Sequence, residues 1–136
     1  MSQITSAFVG SAELLGALEA RSIPFALGED RVLFREGSKA TGVYIVWSGS
    51  AMLSSGSNGE TVLSVEAGPG SLLGVPAVIG SKSYSLTAVA TEGSELSVVS
   101  CESFIELMQT DPQFSFQLLQ VLAAEVRFAR EVLTHS

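Results

Sequence analysis

Residues 68–90 contain the chain's best candidates for binding chemistry: Gly68-Pro69-Gly70-Ser71-Leu72-Leu73-Gly74-Val75-Pro76-Ala77-Val78-Ile79-Gly80, continuing to Tyr84-Ser85-Leu86-Thr87-Ala88-Val89-Ala90. The pattern predicts a tight turn, a short strand, a glycine, a brief helical turn, a loop and a second strand. A glycine ahead of a helical turn lets a ligand approach the backbone, and the free N–H groups of that turn attract anions. The candidate ligand-binding residues are Leu73, Gly74, Val75, Pro76, Ala77, Lys82, Tyr84 and Ser85. Lys82 is the one cationic side chain nearby, in a loop where lysines usually stay solvated. Pro76 has no N–H to offer an anion.

Other reactive residues are few. His135 is the single histidine and Cys101 the single cysteine. One histidine beside the C-terminus cannot build a Ser–His–Asp arrangement or a histidine-based metal site. One cysteine excludes an internal disulfide and an all-cysteine metal site. Cys101 falls at a predicted helix start, which lowers a thiol's pKa if exposed, but a small structural residue is the plainer reading. No catalytic residue, metal ligand or cofactor is expected.

The stretch needs a scaffold to hold it. At 136 residues, 46% hydrophobic and 15% charged, the chain suits one folded domain over residues 1–136. No apolar run is long enough to span a membrane, and the N-terminus lacks a secretion signal, so a cytoplasmic protein is expected. The net charge is −7, and the seven Lys and Arg residues form no stripe. Direct nucleic-acid binding by this chain is therefore not expected.

Ala12–Ala20 reads as a short amphipathic helix with Leu14, Leu15 and Leu18 on one stripe. Short strands follow at Ile23–Leu27, Val32–Phe34, Val43–Trp47, Ala51–Leu53, Thr61–Val65, Tyr84–Ala90 and Leu96–Val99. Turn signals separate them, Gly56-Ser57-Asn58-Gly59 being a hairpin signal. Trp47 reads as a strand residue, in the core or on the surface. Alternation puts Tyr84 on the same side as Leu86 and Ala88, filling the space between the sheets unless a ligand stacks on it. Ser100, with Glu102 in the first turn, caps a helix through about residue 108, and Asp111-Pro112 starts a longer one to about Leu133. That last helix carries two apolar stripes: Phe114, Leu118, Val121, Phe128 and Val132, and Leu119, Leu122, Val126, Ala129 and Leu133. A helix burying one face needs only one. A homodimer seam is expected on it, drawn from Phe114, Leu118, Val121, Leu122, Val126, Ala129 and Leu133. Arg127 and Glu131, four apart, are expected to pair on its wet side.

Taken in order, these pieces resemble a known family. Leu33-Phe34-Arg35-Glu36-Gly37, Val43–Gly49, Gly68–Gly74, Ser85–Ala90, Phe104–Leu107 and Asp111-Pro112 are similar to the motifs of the cyclic-nucleotide-binding domain of Crp/Fnr-type regulators. The resemblance implies a mainly β fold with α: a double-stranded jelly-roll β-barrel over about 23–99, an N-terminal helix and two C-terminal helices. It also implies that Gly74–Ala90 is the phosphate-binding cassette. There a glutamate after the glycine holds the ribose, and an arginine on the next strand holds the cyclic phosphate. In this chain Val75 and Tyr84 stand at those positions. Losing a charge-assisted contact to a buried anion costs roughly 2–5 kcal/mol. Two such losses take a micromolar ligand towards millimolar, since about 1.4 kcal/mol is tenfold. Val75 and Pro76 then line an apolar pocket or a collapsed cassette.

The expected function is a non-catalytic sensor module that does not bind cyclic AMP or cyclic GMP by the usual chemistry. Its ligand would be small and neutral or apolar, or absent. The alternatives are a ligand-free dimerisation module, or the sensor half of a transcription regulator without its DNA-binding domain. A metal-dependent cupin enzyme, on a similar barrel, is argued against by the histidine count.

Overall fold

The computed structural model describes residues 9–57, 60–120 and 122. The elements run α1 (Ala12–Glu19), β1 (Ile23–Phe25), β2 (Val32–Phe34), β3 (Gly42–Ser48), β4 (Ala51–Ser57), β5 (Glu60–Ala67), β6 (Leu72–Leu73), α2 (Val75–Ile79), β7 (Thr87–Ala90), β8 (Glu95–Ser100) and α3 (Cys101–Thr110). Helical backbone continues over 112–120 and at Leu122 as α4.

The strands pair antiparallel in two four-stranded sheets, in the orders β1-β8-β3-β6 and β2-β7-β4-β5. Ladder pairing stays within each sheet, so the expected barrel is two facing sheets, an arrangement consistent with a jelly roll. Between the sheets lie Phe34, Tyr44, Val46, Leu53, Leu73, Tyr84, Ala88 and Leu96. A second core covers the outer face of the β1-β8-β3-β6 sheet. There Val43, Ile45, Leu72 and Val99 meet Leu14 and Leu18 of α1, Val75 and Val78 of α2, Phe104 and Leu107 of α3, and Phe114 and Leu118 of α4.

β3 belongs to both cores. Strand alternation sends Tyr44 and Val46 inward and Val43 and Ile45 outward to the helices. All four are buried, which explains why Val43-Tyr44-Ile45-Val46 is an unbroken apolar run.

Three helices start at side-chain caps, two of them, Ser100 and Asp111, at the residues the sequence indicates. Ser11 Oγ accepts the Leu14 N–H at 3.2 Å, and Ser100 Oγ accepts the Ser103 N–H at 3.1 Å. Asp111 Oδ1 accepts the N–H groups of Gln113 and Phe114, both at 3.1 Å. These bonds satisfy donors that a helix N-terminus leaves unpaired. Phe104 and Phe114 then meet edge to face at 5.6 Å, locking α3 to α4.

Several boundaries differ from expectation. β4 runs on through Gly56 and Ser57, two residues that read as turn; Asn58 and Gly59 lie outside the described residues. β7 begins at Thr87, not Tyr84. The Tyr84 backbone is instead committed to the 35–38 turn: its N–H donates to the Ser38 carbonyl and its carbonyl accepts the Gly37 N–H, each at 2.9 Å.

The largest correction concerns the last helix. The apolar pattern assigns Phe114 and Leu118 to the dimer seam, yet they are 2% and 1% exposed and belong to the chain's own outer core. Leu122 packs against the same core. Phe116 and Leu119, on the opposite side, are each 62% exposed. Val121, Val126, Ala129 and Leu133, and the expected Arg127–Glu131 pair, lie outside the described residues.

Tyr44 sits in the inter-sheet core between Phe25, edge-on at 5.2 Å, and Phe34 at 5.6 Å. Burial pushes its phenol above the ordinary value of 10.0. A raised folded-state pKa favours the neutral phenol in the native protein. That contribution is complete below the unfolded pKa of about 10 and is lost as pH rises through the folded value. Tyr44→Phe should therefore flatten the decline of Tm above pH 10 relative to the parent chain, as thermal melts across pH 8–11.5 would measure.

Candidate ligand site

The 68–90 stretch crosses from one core to the other. β6 pairs with β3 through Tyr44–Leu73 and Ile45–Leu72. Gly74 then adopts φ +91°, the left-handed region that favours glycine, and α2 begins. The first helical bond runs from the Val78 N–H to the Gly74 carbonyl at 3.2 Å. No side chain caps this turn, and Pro76 removes one of its N–H groups.

Tyr84 returns the chain to the inter-sheet core. It is 3% exposed. Its ring stacks on Phe34 with centroids 3.8 Å apart and planes 15° apart. Its hydroxyl donates to the Gly42 carbonyl at 2.8 Å and accepts the N–H groups of Thr41 at 3.0 Å and Gly42 at 3.1 Å. The proton and both lone pairs of that oxygen are thereby engaged within the chain. A Cβ on Gly74 would stand 2.8 Å from Tyr84 Cε1. The close approach that this glycine permits is therefore made by the tyrosine ring.

A cavity of about 70 Å³ remains beside the ring. Among the candidate residues, Leu73, Gly74, Pro76, Ala77, Tyr84 and Ser85 line it, and no lining side chain is charged. Ligand pockets usually offer about 300–1,000 Å³. An anion here would also lack a charged side-chain partner, which buried charge requires.

Two candidates lie elsewhere. Val75 is fully buried on the other side of the turn, in the core beneath the helices. Lys82 is exposed and lines a groove between the α2–β7 loop and α3, outside the inner cavity. Conversely, Phe34, Leu53, Leu72 and Leu86 line the cavity although they were not among the candidates. The inward alternation of β4 is the signal for Leu53. Thr41 and Gly42, which hold the Tyr84 hydroxyl, carry no side-chain signal because their contribution includes backbone donors and an acceptor.

Of the other reactive residues, Cys101 is half-buried at the first position of α3, with Sγ 3.5 Å from the Ala40 carbonyl. Trp47 donates from Nε1 to Ser97 Oγ at 2.8 Å. No set of three or more metal-ligating side chains converges among the described residues. No helix of the described residues is long and apolar enough to cross a membrane.

Comparison with known proteins supplies a family. The model of the cyclic nucleotide-binding domain matches residues 25–111. Among solved structures, the catabolite activator protein of Thermus thermophilus is 25% identical, with a TM-score of 0.74 over 96% of this chain and 62% of that one. A bacterial structure from work on a cyclic-GMP-dependent signalling pathway in phytopathogenesis is 24% identical, with a TM-score of 0.74 over 88% of this chain and 96% of that one. The c-di-GMP-responsive global regulator CLP of Xanthomonas campestris is 23% identical, with a TM-score of 0.67 over 90% of this chain and 60% of that one. The chain thus spans less than two thirds of the length of the Thermus protein. No curated protein sequence matches.

The packing of Gly74 against Tyr84 has a measurable consequence. Gly74→Ala places a Cβ at positive φ, worth about 1–2 kcal/mol of strain, and also overlaps the tyrosine ring. Urea denaturation should show a loss of at least that size, whereas Gly37→Ala, with an open space around it, should show the φ strain alone.

Proposed function

The chain belongs to the cyclic nucleotide-binding domain family, and from that premise we propose that it is a non-catalytic regulatory module whose cassette no longer takes a cyclic nucleotide. One observation carries the reading: the Tyr84 ring, stacked on Phe34 and closed off by its own hydrogen bonds, leaves about 70 Å³ beside α2. Val75 stands where the family's ribose-binding glutamate is expected, yet it is buried beneath the helices and does not face the cavity. Tyr84 stands where the phosphate-binding arginine is expected, and its hydroxyl has no capacity left for a phosphate oxygen. A ligand entering this space would have to be small and neutral, or would have to displace the ring.

The output surface in this reading is α4 and a second copy of the chain. α4 is tied to the fold by Phe114 and Leu118, and the exposed pair Phe116 and Leu119 remains available. In sequence the same three-four spacing continues through Ala123 and Val126, which supports a helical dimer seam along that side. A second reading makes this module the sensing part of a longer regulator. The match to 62% of the Thermus activator's length favours it.

The cassette reading is tested by thermal melts with cyclic AMP and cyclic GMP up to high micromolar concentration. No shift in Tm is expected. A ligand at a hundred times its Kd would add about 2.7 kcal/mol, so a clear rise with either nucleotide would defeat the proposal. The dimer seam is tested separately by sedimentation equilibrium. Phe116→Ser with Leu119→Ser should weaken self-association with little loss of Tm, whereas Leu118→Ala should cost about 2–5 kcal/mol of stability.

A further inference from the structure

The inner cavity is not the only opening beside the 68–90 stretch. A groove of about 520 Å³ opens on the outside of the 68–90 stretch, between the α2–β7 loop and α3, and shares no lining residue with the inner cavity. Its volume lies within the range of small-molecule sites. Val78 of α2, Ile105 of α3 and Ala40 of the β2–β3 connection give it an apolar lining.

The charges around it are unevenly spent. Lys39 and Lys82 both line the groove and are exposed. Their backbones are stitched together: Lys39 bridges Ser83, and the Ala40 N–H donates to the Lys82 carbonyl at 3.2 Å. Neither lysine has a carboxylate partner among the described residues. On the facing side, Glu106 is already paired with Arg21. Glu102 is the other carboxylate in the lining. Two free ammonium groups against one free carboxylate favour a single negative charge. A dianion would meet repulsion from Glu102, and a cation would meet two lysines.

We infer that this groove is a second ligand site, for a monoanionic amphiphile: one carboxylate carried on an apolar body. The body lies along Ile105 and Ala40, and the carboxylate takes charge-assisted hydrogen bonds from Lys39 and Lys82. A ligand seated there touches both the α2–β7 loop and α3, so it couples the 68–90 stretch to the helices without entering the space that Tyr84 fills. This site is independent of the cassette reading.

Cys101 lines the groove and is the chain's only thiol, which makes it a reporter of occupancy. The full chain is alkylated with iodoacetamide in the presence of decanoate, decanol or decyltrimethylammonium, each below its micellar concentration. Equilibrium dialysis of labelled decanoate measures the same binding without the thiol. Decanoate is expected to bind saturably and slow alkylation, with decanol and the cation much weaker. In the Lys39→Ala, Lys82→Ala double variant the decanoate concentration needed should rise roughly tenfold or more. Both side chains are exposed, so an unchanged Tm is the expected control. Saturable binding absent by dialysis, equal effects of decanoate and decanol, or unchanged affinity in the double variant would each overturn the inference.

Discussion

β3 is buried on both of its faces, and the rest of the molecule is arranged around that constraint. A strand with Tyr44 and Val46 on one side and Val43 and Ile45 on the other cannot sit in a sheet with one wet face. The β2-β7-β4-β5 sheet closes the first side, and α1, α2, α3 and α4 close the second. β6 is only two residues long, yet it pairs beside β3 and delivers Leu72 to the helical core and Leu73 to the inter-sheet core. The turn at Gly74 therefore starts from a position fixed on both sides, and α2 is held where the two cores meet.

At that junction, aromatic packing occupies space that an anion site would need for charge and volume. Tyr84 stacks on Phe34, rests against the bare Cα of Gly74 and closes its hydroxyl onto the Thr41–Gly42 backbone. Moving the ring out would leave the buried Gly42 N–H without its acceptor, at a cost of about 1–3 kcal/mol. The ring is thus a structural part of the core as well as an occupant of the cavity. The outer groove has the opposite character: it is open, mixed in polarity and flanked by two lysines whose charge is not spent on the fold.

The helices connect these regions to the surface. Arg21 holds the end of α1 to Glu106 of α3, and Gln117 of α4 donates to Glu13 of α1 at 2.7 Å. These exposed contacts are weak individually. The buried edge-to-face pair of Phe104 and Phe114 and the packing of Leu118 do more to orient α4. Their burial is what leaves Phe116 and Leu119 on the outer side.

Much of the architecture was legible in local chemistry. Strand spacing, the caps at Ser100 and Asp111, and the apolar run of β3 each depend on neighbours a few residues away, where periodicity and turn chemistry act directly. The site was legible only as a stretch. Adjacency grouped Val75, Lys82 and Tyr84, but one turn of helix sends Val75 into the outer core, the 80–83 loop leaves Lys82 outside, and Tyr84 alone of the three turns between the sheets. Phe34, Leu53, Thr41 and Gly42 complete the inner region from other parts of the chain. The last helix shows the same division. Its sequence established that apolar residues lie on more than one side, but packing against β3 and α3 decided that Phe114 and Leu118 face inward and Phe116 faces out. Local sequence determined the elements and their ends, because those rest on short-range hydrogen bonding and periodicity. Only the tertiary structure decided which face each residue serves, because that depends on contacts between segments far apart in the chain.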